Sequence, residues 1–232
     1  MPSTVVHVAF ALLCAAGLLG DRLTGRAALA VALATVSPDL DVFTSLVVES
    51  THRAALHNLF VPGVAALAVY SNRGQAWLRR RFGPDAVAVA WVALTAYTVA
   101  VALDLFNVES AAVLWPLHDR FFAVVGKVGY STTAGVEFTL LQPTLDGGLL
   151  LPGASYGTVD GGYYVPSLLA PPEGSTRTLV AVNAGWELLL ALAATVVAGG
   201  PVRRAAPDAS RPDRSSDPFR LPGVRDRSWG WR

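Results

Sequence analysis

The chain has 232 residues, of which 53% are hydrophobic and 15% are charged, and its formal net charge is +1. Soluble globular domains carry roughly 25% charged residues, so this composition excludes an ordinary soluble enzyme and predicts one polytopic membrane domain. The single cysteine, Cys14, excludes a disulfide framework and a thiolate metal site. The sequence contains no nucleic-acid-binding module, so no nucleic-acid partner is expected.

The first half of the chain contains four apolar segments. Residues 5–20 form the first, and because the residues before it lack the basic side chains of a secretory signal, we expect a retained transmembrane helix. Residues 27–48 have the length of a bilayer span, but Pro38 disfavours helix at the preceding residue and predicts a break there. Residues 59–70 and 86–103 form the third and fourth segments.

The second half of the chain has a different character. Residues 107–177 are a mixed segment, and the β-branched and aromatic residues at 128–141 and 149–164 predict a small β-hairpin region. Residues 178–198 form a fifth apolar segment. The Pro-, Arg-, Asp- and Ser-rich residues 201–232 cannot build a core and are predicted to form a disordered tail.

Together these segments predict an all-α integral membrane protein with about five transmembrane helices, the second broken at Pro38. The membrane domain covers residues 1–200 and includes the small extramembrane loop region at residues 107–177. Residues 201–232 follow as the tail. The expected location is the inner (plasma) membrane, where the lipid bilayer is the expected partner.

The basic residues predict how the chain is oriented. Lys and Arg collect in the cytoplasmic loops of membrane proteins. Of the 18 Lys and Arg residues, 14 lie in the turn after the first span, in residues 71–84 and in the tail. A chain with five spans places all three segments on one side. The prediction is therefore that the N-terminus is outside and the tail is cytoplasmic.

In this topology, side chains that are rare in membrane spans gather at one depth near the outer surface. Placing a carboxylate inside a membrane span costs free energy, so such a residue usually marks a binding site or a transport pathway. Histidine together with carboxylate is a suitable set of ligands for a divalent ion such as Zn²⁺ or Mn²⁺. A divalent metal ion is therefore the predicted cofactor. The candidate metal ligands are His7, Asp39, Asp41, His52, His57 and Asp104.

The spacing of these residues permits a metal site without requiring one. On a regular helix, Asp39 and Asp41 would point about 200° apart, but in an extended turn after Pro38 they would share one ion or bridge two. The alternative is a Pro-Asp-x-Asp turn that only bonds its own backbone. Taken alone, His7 is consistent with a helix residue at the membrane interface, and Asp104 with a residue that caps the end of a transmembrane helix.

The order of the motifs resembles the YdjM-like family of membrane-bound metal-dependent hydrolases, also called LexA-binding, inner-membrane-associated hydrolases. The likeness covers residues 1–117. The residues that carry it are Val6-His7, Ser37-Pro38-Asp39-Leu40-Asp41, His52-Arg53, His57-Asn58, Asp104 and Leu114-Trp115-Pro116.

The resemblance implies a metal site built from the same six histidines and aspartates. The family pattern has a glycine-histidine start, a Leu-Pro-Asp-x-Asp turn, a His-Arg-Gly-x-x-His segment and a His-x-x-x-Asp sequence late in a helix. Here Ala54 replaces the glycine, and Ala100 stands where the last histidine would be. The remaining histidine, His118, is predicted to be an exposed loop residue.

The resemblance implies hydrolysis by a metal-activated water. The depth of the cluster, at the membrane surface, favours an amphiphilic substrate such as a lipid or a phosphoester. Asp39, Asp41 and Asp104 are the candidate catalytic carboxylates, since one that does not bind the ion would serve as a base. The alternative is a non-catalytic membrane protein, either a degenerate member of the family or a cation-handling carrier. A carrier needs charged groups in the inner halves of its spans, and Glu187 is the one residue that fits.

Overall fold

The computed structural model of the chain describes residues 3–48, 50–106, 110–126, 128–133, 135–138, 143–146, 149–152, 154–163, 165, 181–182 and 184–204. Within these residues the chain forms six α-helices and six short β-strands. The helices are α1 (Thr4–Leu19), α2 (Gly25–Val36), α3 (Phe60–Tyr70), α4 (Asn72–Phe82), α5 (Ala86–Asp104) and α6 (Gly185–Arg204). The strands are β1 (Arg120–Ala123), β2 (Val128–Ser131), β3 (Gly135–Phe138), β4 (Pro143–Asp146), β5 (Leu149–Pro152) and β6 (Ala154–Thr158).

Three helical segments of the described chain are long and apolar enough to cross a membrane, which is fewer than the five predicted. They are Thr4–Arg22, Gly25–Leu46 and Ala86–Asp104. Of the other two apolar segments, one forms the shorter helix Phe60–Tyr70, and the other overlaps the shorter apolar stretch Gly185–Gly199 of α6.

Side-chain caps explain why α3 is short. The Asn58 carboxamide oxygen accepts hydrogen bonds from the amides of Phe60 and Val61, which fixes the start of the helix. At the other end, the Ser71 hydroxyl accepts a hydrogen bond from the Gly74 amide and begins α4 at once. Eleven residues rise only about 17 Å, well short of the roughly 30 Å hydrocarbon core.

The predicted break at Pro38 takes the form of a tighter helix. The α-helix ends at Val36, and Ser37–Val42 continues as a 3₁₀ helix with the proline near its start. Because a 3₁₀ helix has three residues per turn, Asp39 and Asp41 point about 120° apart. This difference in direction leaves Asp41 fully buried and Asp39 partly exposed.

The helices pack through small residues. Helix α1 packs against α2 and α6, and α2 packs against α5. Small side chains let membrane helices approach closely, where van der Waals contact holds them together. The buried residues of this contact are Ala11, Ala15, Leu19, Leu23, Ala27, Val31, Ala96 and Ala198.

The predicted β-hairpin region consists of three antiparallel strand pairs, β1–β6, β2–β3 and β4–β5. Next to this region, the amide of Ala112 donates to the Arg53 carbonyl and the amide of Leu59 donates to the Val113 carbonyl. These two bonds hold the loop between the second span and α3 against the β region. Helix α6 runs to Arg204, so residues 201–204 of the predicted tail are helical, and residues 205–232 lie outside the described residues.

Candidate metal centre

Three side chains from separate parts of the chain converge at the C-terminal end of α5. Asp39 comes from the 3₁₀ helix, His57 from the loop before α3, and Asp104 is the last residue of α5. One ligand atom from each lies within 4.8 Å of the others. The His57 Nε2 atom is 3.1 Å from Asp104 Oδ2 and 3.5 Å from Asp39 Oδ1.

The three residues differ in their access to solvent. His57 and Asp104 are buried, whereas the Asp39 side chain is 24% exposed. The second carboxylate oxygen of Asp39 accepts a hydrogen bond from the Thr4 hydroxyl at 2.6 Å. The cluster is therefore closed on the side of α5 and opens beside Asp39.

Asp41 lies behind this group and holds both histidines of the loop. Its Oδ2 atom is 2.8 Å from His57 Nδ1, and its Oδ1 atom is 2.8 Å from His52 Nδ1. The Leu56 amide also donates to Oδ2 at 3.3 Å. Because a carboxylate can only accept, both Nδ1 atoms carry the proton. An imidazole that donates from Nδ1 to a carboxylate and presents Nε2 on its other side has the usual arrangement of a metal-binding histidine.

Three buried atoms at the centre make no hydrogen bond of acceptable geometry: His7 Nε2, His57 Nε2 and Asp104 Oδ2. The last two form an ion pair 3.1 Å apart when His57 is protonated, and the His7 Nε2 atom lies 3.9 Å from Asp104 Oδ1. A buried polar atom without a partner costs about 1–3 kcal/mol, and a divalent ion between these atoms would satisfy all three. Imidazole nitrogen and carboxylate oxygen are the donors that Zn²⁺ and Mn²⁺ accept, and the residues therefore fit a divalent ion.

Arg53 supports the centre from the side of the β region. Its guanidinium is fully buried, with Nη2 donating to Asp104 Oδ1 at 3.2 Å and Nη1 donating to the Ser110 carbonyl at 3.2 Å. The backbone of Arg53 has φ 62°, which is costly for a residue other than glycine. The buried arginine therefore fixes Asp104 by one oxygen and leaves Oδ2 directed at His57.

The electrostatics of the centre favour a positive charge beside the carboxylates. Burial on its own lowers the pKa of His57, but the carboxylates of Asp104, Asp39 and Asp41 outweigh burial and hold that pKa well above its usual value. The surroundings of the imidazole thus stabilise a cation strongly enough to overcome desolvation.

The six predicted ligands all lie in this region, in two layers. Asp39, His57 and Asp104 form a group that could hold a metal ion, the candidate metal-binding group, and His7 faces Asp104 from α1. The other two residues, Asp41 and His52, contact each other behind His57. The His52 side chain is 13% exposed. Outside this region, His118 is half-buried and accepts a hydrogen bond from the amide of Arg120.

Sequence reasoning missed one contact and left another open. The hydrogen bond from the Thr4 hydroxyl to Asp39 could not be predicted, because a threonine at the start of a helix is common and does not indicate such a contact. From the sequence, Arg53 is either a surface anchor or a partner of a phosphate or a carboxylate, and its burial against Asp104 supports the second interpretation.

Ala100 leaves an empty space beside the centre. The residue is 3% exposed and lines, together with His7, a cavity of about 30 Å³ between α1 and α5. The rest of the lining is mostly apolar and includes Ala96, one turn of α5 away. The position at which a histidine would reach towards His7 therefore holds only a methyl group.

The family model described as YdjM inner membrane protein matches residues 1–197 of the chain. The match extends the likeness from residue 117 through the β region and into α6. None of the curated proteins and none of the solved structures match the chain.

Proposed function

The chain belongs to the YdjM inner membrane protein family, and from that premise we propose that it is a membrane-bound metal-dependent hydrolase. Asp39, His57 and Asp104 would hold a divalent ion, Zn²⁺ or Mn²⁺, with His7 as a further ligand from α1. The observation that carries the proposal is the convergence of three buried potential ligand atoms, His7 Nε2, His57 Nε2 and Asp104 Oδ2, none of which makes a hydrogen bond of acceptable geometry.

Each residue of the centre has a role that follows from its contacts. When bound, the ion supplies a water of lowered pKa and polarises the scissile group of the substrate. Asp39 is the exposed member of the group, so its carboxylate would hold the ion on the side from which the attacking water and the substrate enter. Asp41 keeps the His57 imidazole oriented through Nδ1, and Arg53 keeps Asp104 in place.

The substrate class follows from the depth of the centre. In the predicted orientation the cluster lies at the outer edge of the membrane, at the start of α1 and the end of α5. A substrate reaching it there is amphiphilic, with an apolar part in the bilayer and a scissile head group at the surface. A lipid phosphoester is the candidate that this placement favours.

A second candidate is a family member that binds a metal ion without hydrolysing a substrate. Ala100 favours it, because the space beside His7 lacks the histidine that the family places there. A cation carrier is the other form of this alternative, and buried Glu187 is the acidic residue that would serve it.

Elemental analysis of the purified full chain tests the metal centre. We expect a stoichiometric divalent metal in the native protein and its loss in the Asp39→Ala, His57→Ala double variant. The matched control is Asp21→Ala with His118→Ala, which removes the same residue types outside the cluster and is expected to keep the metal. Unchanged metal content in the first variant would refute the centre.

A panel of lipid and soluble phosphoesters then separates the two candidates. A hydrolase is expected to cleave at least one member of the panel, and the rate is expected to fall with the metal content in the double variant. A protein that keeps its metal and cleaves none of the panel would favour the non-catalytic candidate.

A further inference from the structure

Helix α4 combines an exposed aromatic pair with a run of arginines. Trp77 and Phe82 are 54% and 62% exposed, and their rings pack edge to face with centroids 5.6 Å apart. Arg79, Arg80 and Arg81 lie between them in sequence, and all three are exposed. Helix α4 therefore presents aromatic and basic side chains together on the protein surface.

The arginines of α4 are not neutralised by the protein. The Arg79 guanidinium donates to the Gln75 carboxamide oxygen at 3.2 Å, and the Arg81 guanidinium lies 5.2 Å from the centre of the Phe82 ring. Among the described residues, the ion pairs of arginine with aspartate are Arg22 with Asp85 and Arg53 with Asp104. The positive charges of α4 are therefore available to a partner outside the chain.

The helix separates three of its four arginines from its apolar side chains. At about 100° per residue, Arg73, Arg79 and Arg80 fall within a sector of roughly 120°. On the other side, Trp77, Leu78 and Phe82 fall within a sector of roughly 140°. The fourth arginine, Arg81, lies within this second sector, where its guanidinium is 5.2 Å from the centre of the Phe82 ring. Amphipathic helices of this kind, with basic and aromatic faces, lie at the membrane–water interface.

The neighbouring elements place the end of α4 at a membrane edge. Helix α4 ends at Phe82, and the membrane-crossing helix α5 begins at Ala86. From Ala86 to Leu103, α5 carries no charged side chain. The last turn of α4 therefore lies where the apolar span begins, at the level of the lipid head groups.

We propose that the last turn of α4 is a binding site for the head groups of anionic phospholipids. Arginine binds phosphate oxygens with two parallel hydrogen bonds. The rings of tryptophan and phenylalanine would contact the apolar part of the lipid next to the head group. The chemistry requires a phosphate with a net negative charge next to acyl chains, which a phospholipid supplies and a soluble anion does not. The site is separate from the metal centre and does not depend on its function.

The test is lipid binding by the purified full chain in neutral detergent, measured by native mass spectrometry with phosphatidylglycerol or phosphatidylcholine. We expect phosphatidylglycerol to bind more tightly. An arginine near an anionic surface contributes about fivefold in affinity, so Arg79→Gln with Arg80→Gln is expected to weaken phosphatidylglycerol binding roughly 25-fold. The single variant Arg80→Gln, expected to lose about fivefold, serves if the double variant does not fold.

The matched control for Arg80→Gln is Arg26→Gln, which removes one exposed arginine outside α4 and is expected to change binding less than twofold. Equal losses in these two single variants would mean general charge attraction and would overturn the proposal. So would unchanged binding after the α4 substitutions, as expected if these arginines only balance the dipole of their own helix. Competition by inorganic phosphate at the lipid concentration would instead indicate a soluble-anion site, and would also overturn it.

Discussion

The Asp41→Asn variant tests whether the second layer of the centre orients His57. Asp41 is fully buried and serves three donors, His57 Nδ1, His52 Nδ1 and the Leu56 amide. Asparagine has the same shape, but it offers one acceptor oxygen and two donor hydrogens. At least one histidine N–H would then face another N–H instead of an acceptor.

The expected loss follows from the role of the lost bond. Removing the partner that orients a metal-binding histidine costs about 10–100-fold in metal affinity, which is about 1.4–2.7 kcal/mol. The loss is smaller than for Asp39→Ala, because Asp41→Asn leaves all the atoms of the metal-binding group in place. An intermediate effect therefore distinguishes an orienting residue from a ligand.

Metal affinity would be measured on the purified full chain by competition with a chelating dye, using Zn²⁺ and Mn²⁺. The control is Asp85→Asn, an exposed aspartate that pairs with Arg22 at 3.4 Å and is expected to leave the affinity unchanged. An unchanged affinity in Asp41→Asn would show that Asp41 orients no ligand. A loss as large as that of Asp39→Ala would make Asp41 a ligand itself.

Two further predictions concern the missing histidine and the orientation. Ala100→His is expected to tighten metal binding by placing an imidazole in the cavity beside His7, whereas Ala96→His, one turn away in the same cavity, is expected not to; equal affinities in the two variants would contradict this reading. A cysteine at position 118 is expected to react with an impermeant reagent from outside, and a cysteine at position 80 only after the membrane is permeabilised, while the reverse pattern would overturn the orientation.

The sequence predicted the character of the fold better than the extent of its helices. Hydropathy identifies the apolar runs because only a helix satisfies its backbone inside a bilayer. It does not locate side-chain caps, and the caps from Asn58 and Ser71 reduce α3 to 11 residues. The strand pairing of residues 120–158 was likewise beyond a local pattern, since β1 pairs with the distant β6.

The three residues of the candidate metal-binding group are among the ligands predicted from the sequence, but the arrangement of the six candidates in two layers could not be predicted. Each candidate is a residue type that is rare in membrane spans, and the predicted topology places all of them at the same depth in the membrane. Which carboxylate faces the ligand space depends on the 3₁₀ turn after Pro38, which directs Asp41 into the protein and leaves Asp39 at the opening. The contact between Arg53 and Asp104 joins residues 51 positions apart, and no local pattern predicts it.

The candidate centre also has a consequence for how the protein assembles in the membrane. Its groups come from α1, the 3₁₀ turn, the loop before α3 and the last residue of α5, so no two neighbouring helices can complete it. Helices enter the bilayer one by one before they pack together. The buried carboxylate of Asp104 therefore contacts His57 and Arg53 only after α5 has inserted. A bound ion would then hold together the three membrane-crossing segments, Thr4–Arg22, Gly25–Leu46 and Ala86–Asp104. Metal supply would then act as a late assembly step as well as a requirement for chemistry, and at 100 times its Kd it would add about 2.7 kcal/mol to the stability of the packed state.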